Sequence, residues 1–157
     1  KTKEFAFDHV FGPDAKQHEV YATCALPLVD ALFEMKNACV FAFGATGAGK
    51  TYSMLGPEGG RKRGVQDGLL PRVAAELFRR LARLEADARE AIGAGGYSAY
   101  EVRASFLEVY RESAFDLLGG PVSASRDPAG ACSLREDKDG RVYAEGAVEE
   151  PVRSVAQ

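Results

Sequence analysis

The sequence is poor in the residues that build metal centres and cystine frameworks. It has no tryptophan, two histidines and three cysteines in 157 residues. Cys24, Cys39 and Cys132 are odd in number and their spacing matches no zinc pattern, so we predict reduced core thiols of a cytosolic protein. His9 and His18 have no partner pattern nearby, and both are predicted to be structural rather than catalytic.

Long hydrophobic runs and a strong charge imbalance are also missing. No apolar stretch approaches the length of a membrane span, and the first five residues lack the apolar core of a signal peptide. A formal net charge of −3 gives no reason to expect nucleic acid or an anionic membrane as a partner, although a local basic patch could contact an acidic filament. With 46% hydrophobic and 27% charged residues, we expect one domain with one core, and the abrupt start in structured sequence predicts a fragment.

What the sequence does contain is a phosphate-binding loop. Residues 41–56 read FAFGATGAGKTYSMLG, in which Gly44 is followed after four residues by Gly49, Lys50 and Thr51. In such a loop the backbone amides face phosphate oxygens, the lysine supplies a mobile charge, and the threonine hydroxyl is placed to coordinate magnesium. The alternative is a glycine-rich turn that binds nothing, since 17 residues of the chain are glycine.

The flanking sequence favours the phosphate-binding interpretation. Residues 38–43, bounded by Asn37 and Gly44, form an apolar run of strand length and predict a buried strand. A helix can begin after Thr51, with its positive N-terminal end facing the phosphates. Strand, loop and helix therefore follow one another in the order that phosphate binding needs.

Periodicity predicts the remaining elements. Apolar residues at three- and four-residue spacing predict an amphipathic helix over 17–35 that Pro27 kinks or locally opens, and a second one over 70–88 whose charged side faces solvent. Alternation and turn residues predict, in chain order, a short strand at 5–8, a strand over 97–110, a helical turn at 113–118, a loop over 119–130, and a hairpin of 133–136 with 141–144.

A basic loop separates the first two regions. Arg61, Lys62 and Arg63 lie in a glycine-rich segment that is predicted to be exposed. It is either a solvated surface insertion or a contact for an acidic partner beside the nucleotide.

Strands that alternate with helices around this loop predict an α/β fold: a three-layer P-loop NTPase-type sheet flanked by helices. The order of residues resembles the kinesin motor domain over nearly the whole chain. The Tyr52-Ser53-Met54 continuation points to kinesins rather than myosins, and Ala45 stands where the family usually has Gln. Five blocks carry the resemblance: FAFDHVF with Gln17 and Val20-Tyr21, NACVFAFGATGAGKTYSMLG, GLLPRVAAELF, SFLEVYRESAFDLLGG and LREDKDGRVYAEGAVEEPVRS.

The resemblance implies a set of site residues. Thr51 would hold magnesium, and Lys138 and Arg141 fall in the hairpin that touches the microtubule in kinesins, although exposed hairpins also carry such residues for solubility. The ATP-contacting set would be Gly44, Ala45, Thr46, Gly47, Ala48, Gly49, Lys50, Thr51 and Tyr52.

The resemblance also implies that residues 1–157 are a partial motor domain, about half of one. The family's two switch motifs, which complete the hydrolytic site, and its neck are not found here, so we assign no catalytic residue and predict negligible ATP hydrolysis by these residues alone. Asp116-Leu117-Leu118-Gly119 imitates the second switch, but the residues before it do not look like a buried apolar strand. Ser123 to Arg126 come too early for the first switch.

Three functions remain open from the sequence. The leading one is the ATP-binding part of a cytoplasmic, microtubule-associated motor that couples ATP hydrolysis to movement, with no nucleic acid or membrane partner. The second is a truncated kinesin-like module that binds nucleotide or tubulin without turnover. The third is an unrelated P-loop ATPase or small-molecule kinase, which would make the five-block resemblance accidental.

Overall fold

The computed structural model describes residues 2–57, 64–92, 100–119 and 130–154. The chain divides into two compact units, Lys1–Gly96 and Tyr97–Gln157, where one core was expected. The buried apolar side chains among the described residues are correspondingly split. Ala25, Val29 and Leu69 are buried in the first unit, and Ala114 and Phe115 in the second.

The first unit is built from helices. They are α1 (Gln17–Val20), a π-helical segment (Tyr21–Ala25), α2 (Leu26–Phe33), α3 (Lys50–Leu55) and α4 (Leu69–Ile92). The predicted local opening at Pro27 is confirmed, because the π segment ends directly before α2, whose first turn contains the proline. Proline has no N–H to donate back along the helix, which favours a widened turn on its N-terminal side.

The π segment changes which residues of this helix are buried. The apolar three- and four-residue spacing in the sequence passes through Cys24 and Leu28, but the buried positions are Ala25 and Val29, one residue further along the chain. A π turn accommodates one additional residue, so every later side chain is rotated by about 100° around the helix axis. Helix α2 ends at Phe33, two residues before the end predicted from the sequence, and Met35 takes a left-handed φ of 61°.

The prediction of a buried strand over residues 38–43 is wrong for this structure. The segment takes no strand assignment and its side chains are exposed, with Phe41 at 81% and Phe43 at 95%. A strand is defined by its hydrogen-bonded neighbour, and none of the described residues forms a ladder with this segment. The predicted strand at residues 5–8 is also wrong, because this segment takes no strand assignment and Phe5 and Phe7 are exposed.

The second amphipathic helix is confirmed as α4, Leu69–Ile92. Its charged side is not wholly a solvent face, however. Arg80 donates from Nε to Glu76 Oε1 at 2.7 Å and reaches Asp30 of α2 from Nη2 at 2.6 Å. The guanidinium also lies 5.4 Å from the ring centroid of Phe33. Arg80 therefore joins α2 to α4 by ion pairs and a cation–π contact.

The second unit is built from three antiparallel two-stranded ladders among the described residues. They are β1 (Arg103–Ala104) with β6 (Glu150–Pro151), β2 (Leu107–Tyr110) with β3 (Ser113–Asp116), and β4 (Ser133–Glu136) with β5 (Val142–Glu145). The predicted strand over 97–110 is thus divided into β1 and β2 where it is described.

The predicted helical turn at 113–118 is wrong, since residues 113–116 are β3. Arg111 and Glu112 take φ values of 48° and 67°, which form a two-residue hairpin turn that pairs Tyr110 with Ser113. Such turns usually contain Asn or Gly, so the Arg-Glu pair gave no sequence signal of a hairpin. The Ala114 carbonyl also accepts the Cys132 N–H at 2.8 Å, which adds a neighbour on the other edge of β3.

The predicted hairpin of β4 and β5 is confirmed. Asp137 Oδ1 accepts the backbone N–H groups of Asp139 and Arg141, both at 2.9 Å, and Gly140 takes a φ of 78°. The aspartate thus closes the turn and the glycine supplies its left-handed residue, as the sequence indicated.

The three cysteines are free thiols. The prediction that they are core residues is wrong, because Cys24 and Cys39 are exposed and Cys132 is half-buried. Arg61–Arg63, Ser123–Arg126 and most of the 119–130 loop lie outside the described residues. Within the described ranges, no helix is both long and apolar enough to cross a membrane.

Candidate nucleotide-binding site

The glycine-rich loop leads directly into α3. Gly47 and Gly49 take φ values of 81° and 87°, in the left-handed region that other L-residues rarely adopt. A Cβ at either position would meet no atom within 4 Å, so the requirement is conformational and the space beside the loop backbone is open. A Cβ at Gly44 would instead make a tight contact, 3.2 Å from that of Ala48.

Lys50 closes the loop on itself. Its Nζ donates to the carbonyl oxygens of Gly44 and Ala45, both at 2.8 Å. An ammonium carries three donors, so these two bonds hold the positive charge beside the start of the loop and leave one donor. The geometry fits a group that offers its charge to an incoming phosphate.

The other predicted site residues are contiguous with these and accessible. Gly49 and Lys50 are half-buried. Thr51 lies in the first turn of α3 and is an exposed residue, and its hydroxyl is the kind of oxygen that can ligate magnesium. The remaining members of the predicted set, Gly44, Ala45, Thr46, Gly47, Ala48 and Tyr52, are also exposed.

A buried glutamine, named from the sequence only as part of the first kinesin-like block, contacts this site. Gln17, the first residue of α1, is 7% exposed and donates from Nε2 to the Tyr52 carbonyl oxygen at 2.7 Å. The two residues are 35 positions apart, and no local pattern predicts their contact. The sequence signals for Gln17 were its place in that block and its position at the beginning of an apolar helix face.

The far end of α3 is packed against the start of α4 through two glycines. A Cβ on Gly68 would lie 2.5 Å from the Met54 carbonyl carbon and 2.6 Å from the Gly56 nitrogen. A Cβ on Gly56 would lie 2.7 Å from the Gln66 carbonyl oxygen. The backbones therefore meet closely only because both positions are glycine.

Lys138 and Arg141, the predicted microtubule contacts, are both exposed in the turn between β4 and β5. They belong to the second unit, whereas residues 44–52 belong to the first. Both basic side chains lie on one turn, which the Asp137 carboxylate closes by accepting the Asp139 and Arg141 amides. These hydrogen bonds, that from Arg141 above all, lower the pKa of Asp137.

Asp116 is a structural carboxylate. The residues before it do form a strand, β3, with Ala114 and Phe115 buried, so our sequence argument against a switch-like role is wrong in that respect. Its oxygens nevertheless accept backbone amides, Oδ1 from Leu118 at 2.9 Å and Oδ2 from Val148 at 2.8 Å. Both oxygens of the Asp116 carboxylate therefore stabilise the fold through hydrogen bonds to the backbone.

Comparison with known proteins identifies the class to which this loop and fold belong. The family model of the kinesin motor domain matches residues 1–157. The fold matches the structure of a fast kinesin that has implications for ATPase mechanism and interactions with microtubules, with a TM-score of 0.74 and 31% identity over 97% of this chain. The chain belongs to the kinesin motor domain family.

The chain is also similar in sequence to individual kinesin-like proteins. The chain is 36% identical over 155 residues to Kinesin-like protein KIF27 of Rattus norvegicus and 35% identical over 159 residues to Kinesin-like protein KIF21B of Homo sapiens. It is 36% identical over 160 residues to Kinesin-like protein Klp61F of Drosophila melanogaster. These alignments cover 98–99% of the chain but only 9–13% of each relative, and the match to the fast kinesin covers 38% of that structure.

Proposed function

We propose that this chain is the ATP-binding part of a kinesin-like microtubule motor, and that residues 44–52 bind the phosphates of magnesium ATP. The observation that carries the proposal is the loop itself: left-handed glycines at 47 and 49 and an ammonium held across the loop by Gly44 and Ala45. Membership of the kinesin motor domain family, and the ATPase for which the fast kinesin was studied, support ATP rather than another phosphate compound.

Each residue has a defined task in this proposal. Gly47 and Gly49 let the backbone amides turn toward the phosphate oxygens without steric interference. Lys50 offers its remaining donor to the terminal phosphates, and the Thr51 hydroxyl serves as a magnesium ligand. Magnesium, when bound there, supplies neutralisation of phosphate charge.

Binding is expected from these residues, and turnover is not. None of residues 44–52 is a carboxylate, histidine or glutamine that could orient an attacking water, and we assign no catalytic residue in the chain. We therefore propose hydrolysis and microtubule-based movement for the whole motor, in the cytoplasm and on the microtubule cytoskeleton, with the described site as its nucleotide-holding part.

Calorimetric titration of the 157-residue protein with magnesium ATP tests the binding proposal. We expect saturable binding that Lys50→Ala weakens by at least tenfold, because a charge-assisted contact to phosphate is lost. Lys36→Ala removes an equally charged, exposed lysine of the same unit and should leave the affinity unchanged. Absence of binding by the unmodified protein, or equal effects of the two substitutions, would overturn the proposal.

A phosphate-release assay on the same samples separates binding from catalysis. We expect no release above background, with or without microtubules, and Lys50-dependent turnover would contradict the assignment of a purely nucleotide-holding part.

Microtubule contact by the β4–β5 turn is a separate proposal, supported by the exposure of both basic side chains on one closed turn. In co-sedimentation with microtubules, the double variant Lys138→Ala, Arg141→Ala should pellet less than the unmodified chain. The double variant Arg103→Ala, Arg135→Ala removes the same charge from residues already paired with Glu101 and Glu145. Equal loss in the two variants would indicate a non-specific charge effect and reject the contact.

A further inference from the structure

Helix α3 carries the phosphate-facing residues, yet it is only six residues long. An isolated helix of this length is not stable in water, so its position must come from tertiary contacts. Lys50 and Thr51 occupy its first two positions, and any rotation of α3 displaces both of them relative to the glycine loop.

Two contacts fix α3 within the first unit. Its C-terminal end meets the start of α4 at Gly56 and Gly68, where the backbones are in close approach. Its middle is held by Gln17, whose Nε2 donates to the Tyr52 carbonyl oxygen at 2.7 Å. That carbonyl also accepts the Gly56 N–H at 2.8 Å, so both of its lone pairs are engaged.

Gln17 is suited to this task because it is buried and comes from a different element. Only 7% of the residue is exposed, and it is the first residue of α1. The start of α1 is fixed independently, since the Lys16 N–H donates to the Glu19 carboxylate at 2.6 Å. A buried side-chain amide on a fixed helix end gives α3 a directional contact next to Thr51.

We propose that Gln17 is a positioning residue of the nucleotide site, which orients α3 through the Tyr52 carbonyl and so sets the affinity for the phosphate end of ATP. The effect on affinity rests on the nucleotide-binding function proposed above. The orientation of α3 does not depend on it and can be measured without nucleotide.

Substitution of Gln17 by Ala and by Glu distinguishes positioning from general stability. Gln17→Ala removes the donor and should raise the dissociation constant for magnesium ATP about tenfold, because the hydrogen bond that orients α3 is lost while the Tyr52 carbonyl keeps only the Gly56 N–H. Gln17→Glu should bind as weakly as Gln17→Ala at pH 8, because an ionised carboxylate cannot donate to a carbonyl. At pH 5.5, where burial keeps the acid protonated, its hydroxyl donates and affinity should return to within about threefold of the unmodified chain.

The matched control is Asn37→Asp, the same amide-to-acid change at an exposed position. Its pH profile should follow that of the unmodified chain, which also accounts for titration of ATP itself. If Gln17→Glu shows no recovery at low pH relative to this control, the positioning role is wrong.

Hydrogen exchange without nucleotide gives the second readout. The amides of Ser53 and Gly56, which donate within and at the end of α3, should exchange at least tenfold faster in Gln17→Ala than in the unmodified chain. Unchanged exchange would overturn the anchoring of α3 by Gln17. Exchange could be faster in Gln17→Ala while the unmodified chain binds no ATP. In that case the proposed function is wrong, and so is the effect of Gln17 on affinity, but the anchoring of α3 by Gln17 is still supported.

Discussion

The Asp116 carboxylate accepts the backbone N–H of Val148, with Oδ2 and N 2.8 Å apart and 32 residues between them in the sequence. Its other oxygen accepts the Leu118 N–H at 2.9 Å. These two bonds, that from Val148 first, hold the pKa of Asp116 below its ordinary value. One carboxylate thus joins the end of β3 to the segment that follows β5.

Asp116→Asn should therefore lower the thermal midpoint of the protein at neutral pH. A depressed folded-state pKa means that the stabilisation is present above the ordinary aspartate pKa and is lost as pH falls through the lower folded value. The difference in midpoint between the two proteins should consequently shrink between pH 7 and pH 3. Glu149→Gln, an exposed neutralisation in the same unit, should show no such difference at neutral pH.

Glu76, in the first unit, makes a second pH-dependent contribution to the stability of the fold. Hydrogen bonds from Arg79, and then from Arg80, lower its pKa from 4.5 to about 2. We expect Glu76→Gln to reduce the free energy of unfolding by about 1–2 kcal/mol at pH 7, a value reduced for solvent screening of the partly exposed pair. The contribution should be complete above pH 4.5 and disappear as pH falls toward 2.

Urea unfolding of both proteins at pH 7, 5 and 3 measures this difference. Glu90→Gln, an exposed position on the same helix, serves as control and should have little effect at any of these pH values. A pH-independent loss in Glu76→Gln would show that the ion pairs are not its origin.

Gly49→Ala tests the conformation of the proposed phosphate-binding loop. Its φ of 87° costs an alanine about 1–2 kcal/mol, although no neighbouring atom obstructs the added methyl group. We expect lower stability in urea unfolding and weaker binding of magnesium ATP. Gly12→Ala has equally open space and no left-handed φ, so it should change stability by less than about 0.5 kcal/mol.

Gly68→Ala tests the close approach of α3 and α4. Its methyl group would lie 2.5–2.6 Å from backbone atoms of Met54, Leu55 and Gly56, which cannot move as a flexible side chain can. We expect destabilisation of about 1–3 kcal/mol by denaturant unfolding. Gly64→Ala, four residues earlier with open space around it, should be nearly neutral, and equal losses in both variants would contradict the steric explanation.

Glu112→Gly should stabilise the β2–β3 hairpin. Glu112 takes a φ of 67°, a region that glycine enters without the steric cost paid by glutamate. The expected gain in free energy of unfolding is about 0.5–1 kcal/mol, after the entropy of the more flexible unfolded glycine is subtracted. Glu149→Gly, at a position without positive φ, should instead destabilise, and a loss in both would refute the turn assignment.

Local sequence was sufficient where local forces decide the structure. The loop Gly44–Thr51 and the helix after it follow from glycines that permit positive φ. Helix α4 follows from apolar residues at helical spacing, and the β4–β5 hairpin follows from an Asp-Gly turn. The family too was evident from the order of five blocks, because each preserves residue identities that composition alone does not require.

Tertiary structure decided the features that depend on distant partners. Residues 38–43 have strand composition but form no ladder among the described residues, because a strand needs a hydrogen-bonded neighbour. The π segment before Pro27 moved the buried face by one residue, and the Arg111-Glu112 turn made 113–116 a strand.

The support of the candidate site also lay beyond the sequence. Gln17 and Tyr52 are 35 residues apart, and the meeting of Gly56 with Gly68 is a matter of backbone distance rather than residue pattern. The sequence by itself determined the glycine-rich loop that we propose to face phosphate, since left-handed glycines and a lysine suffice for its conformation. The orientation of that loop was decided only by the folded chain, because a six-residue helix takes its direction from what it packs against.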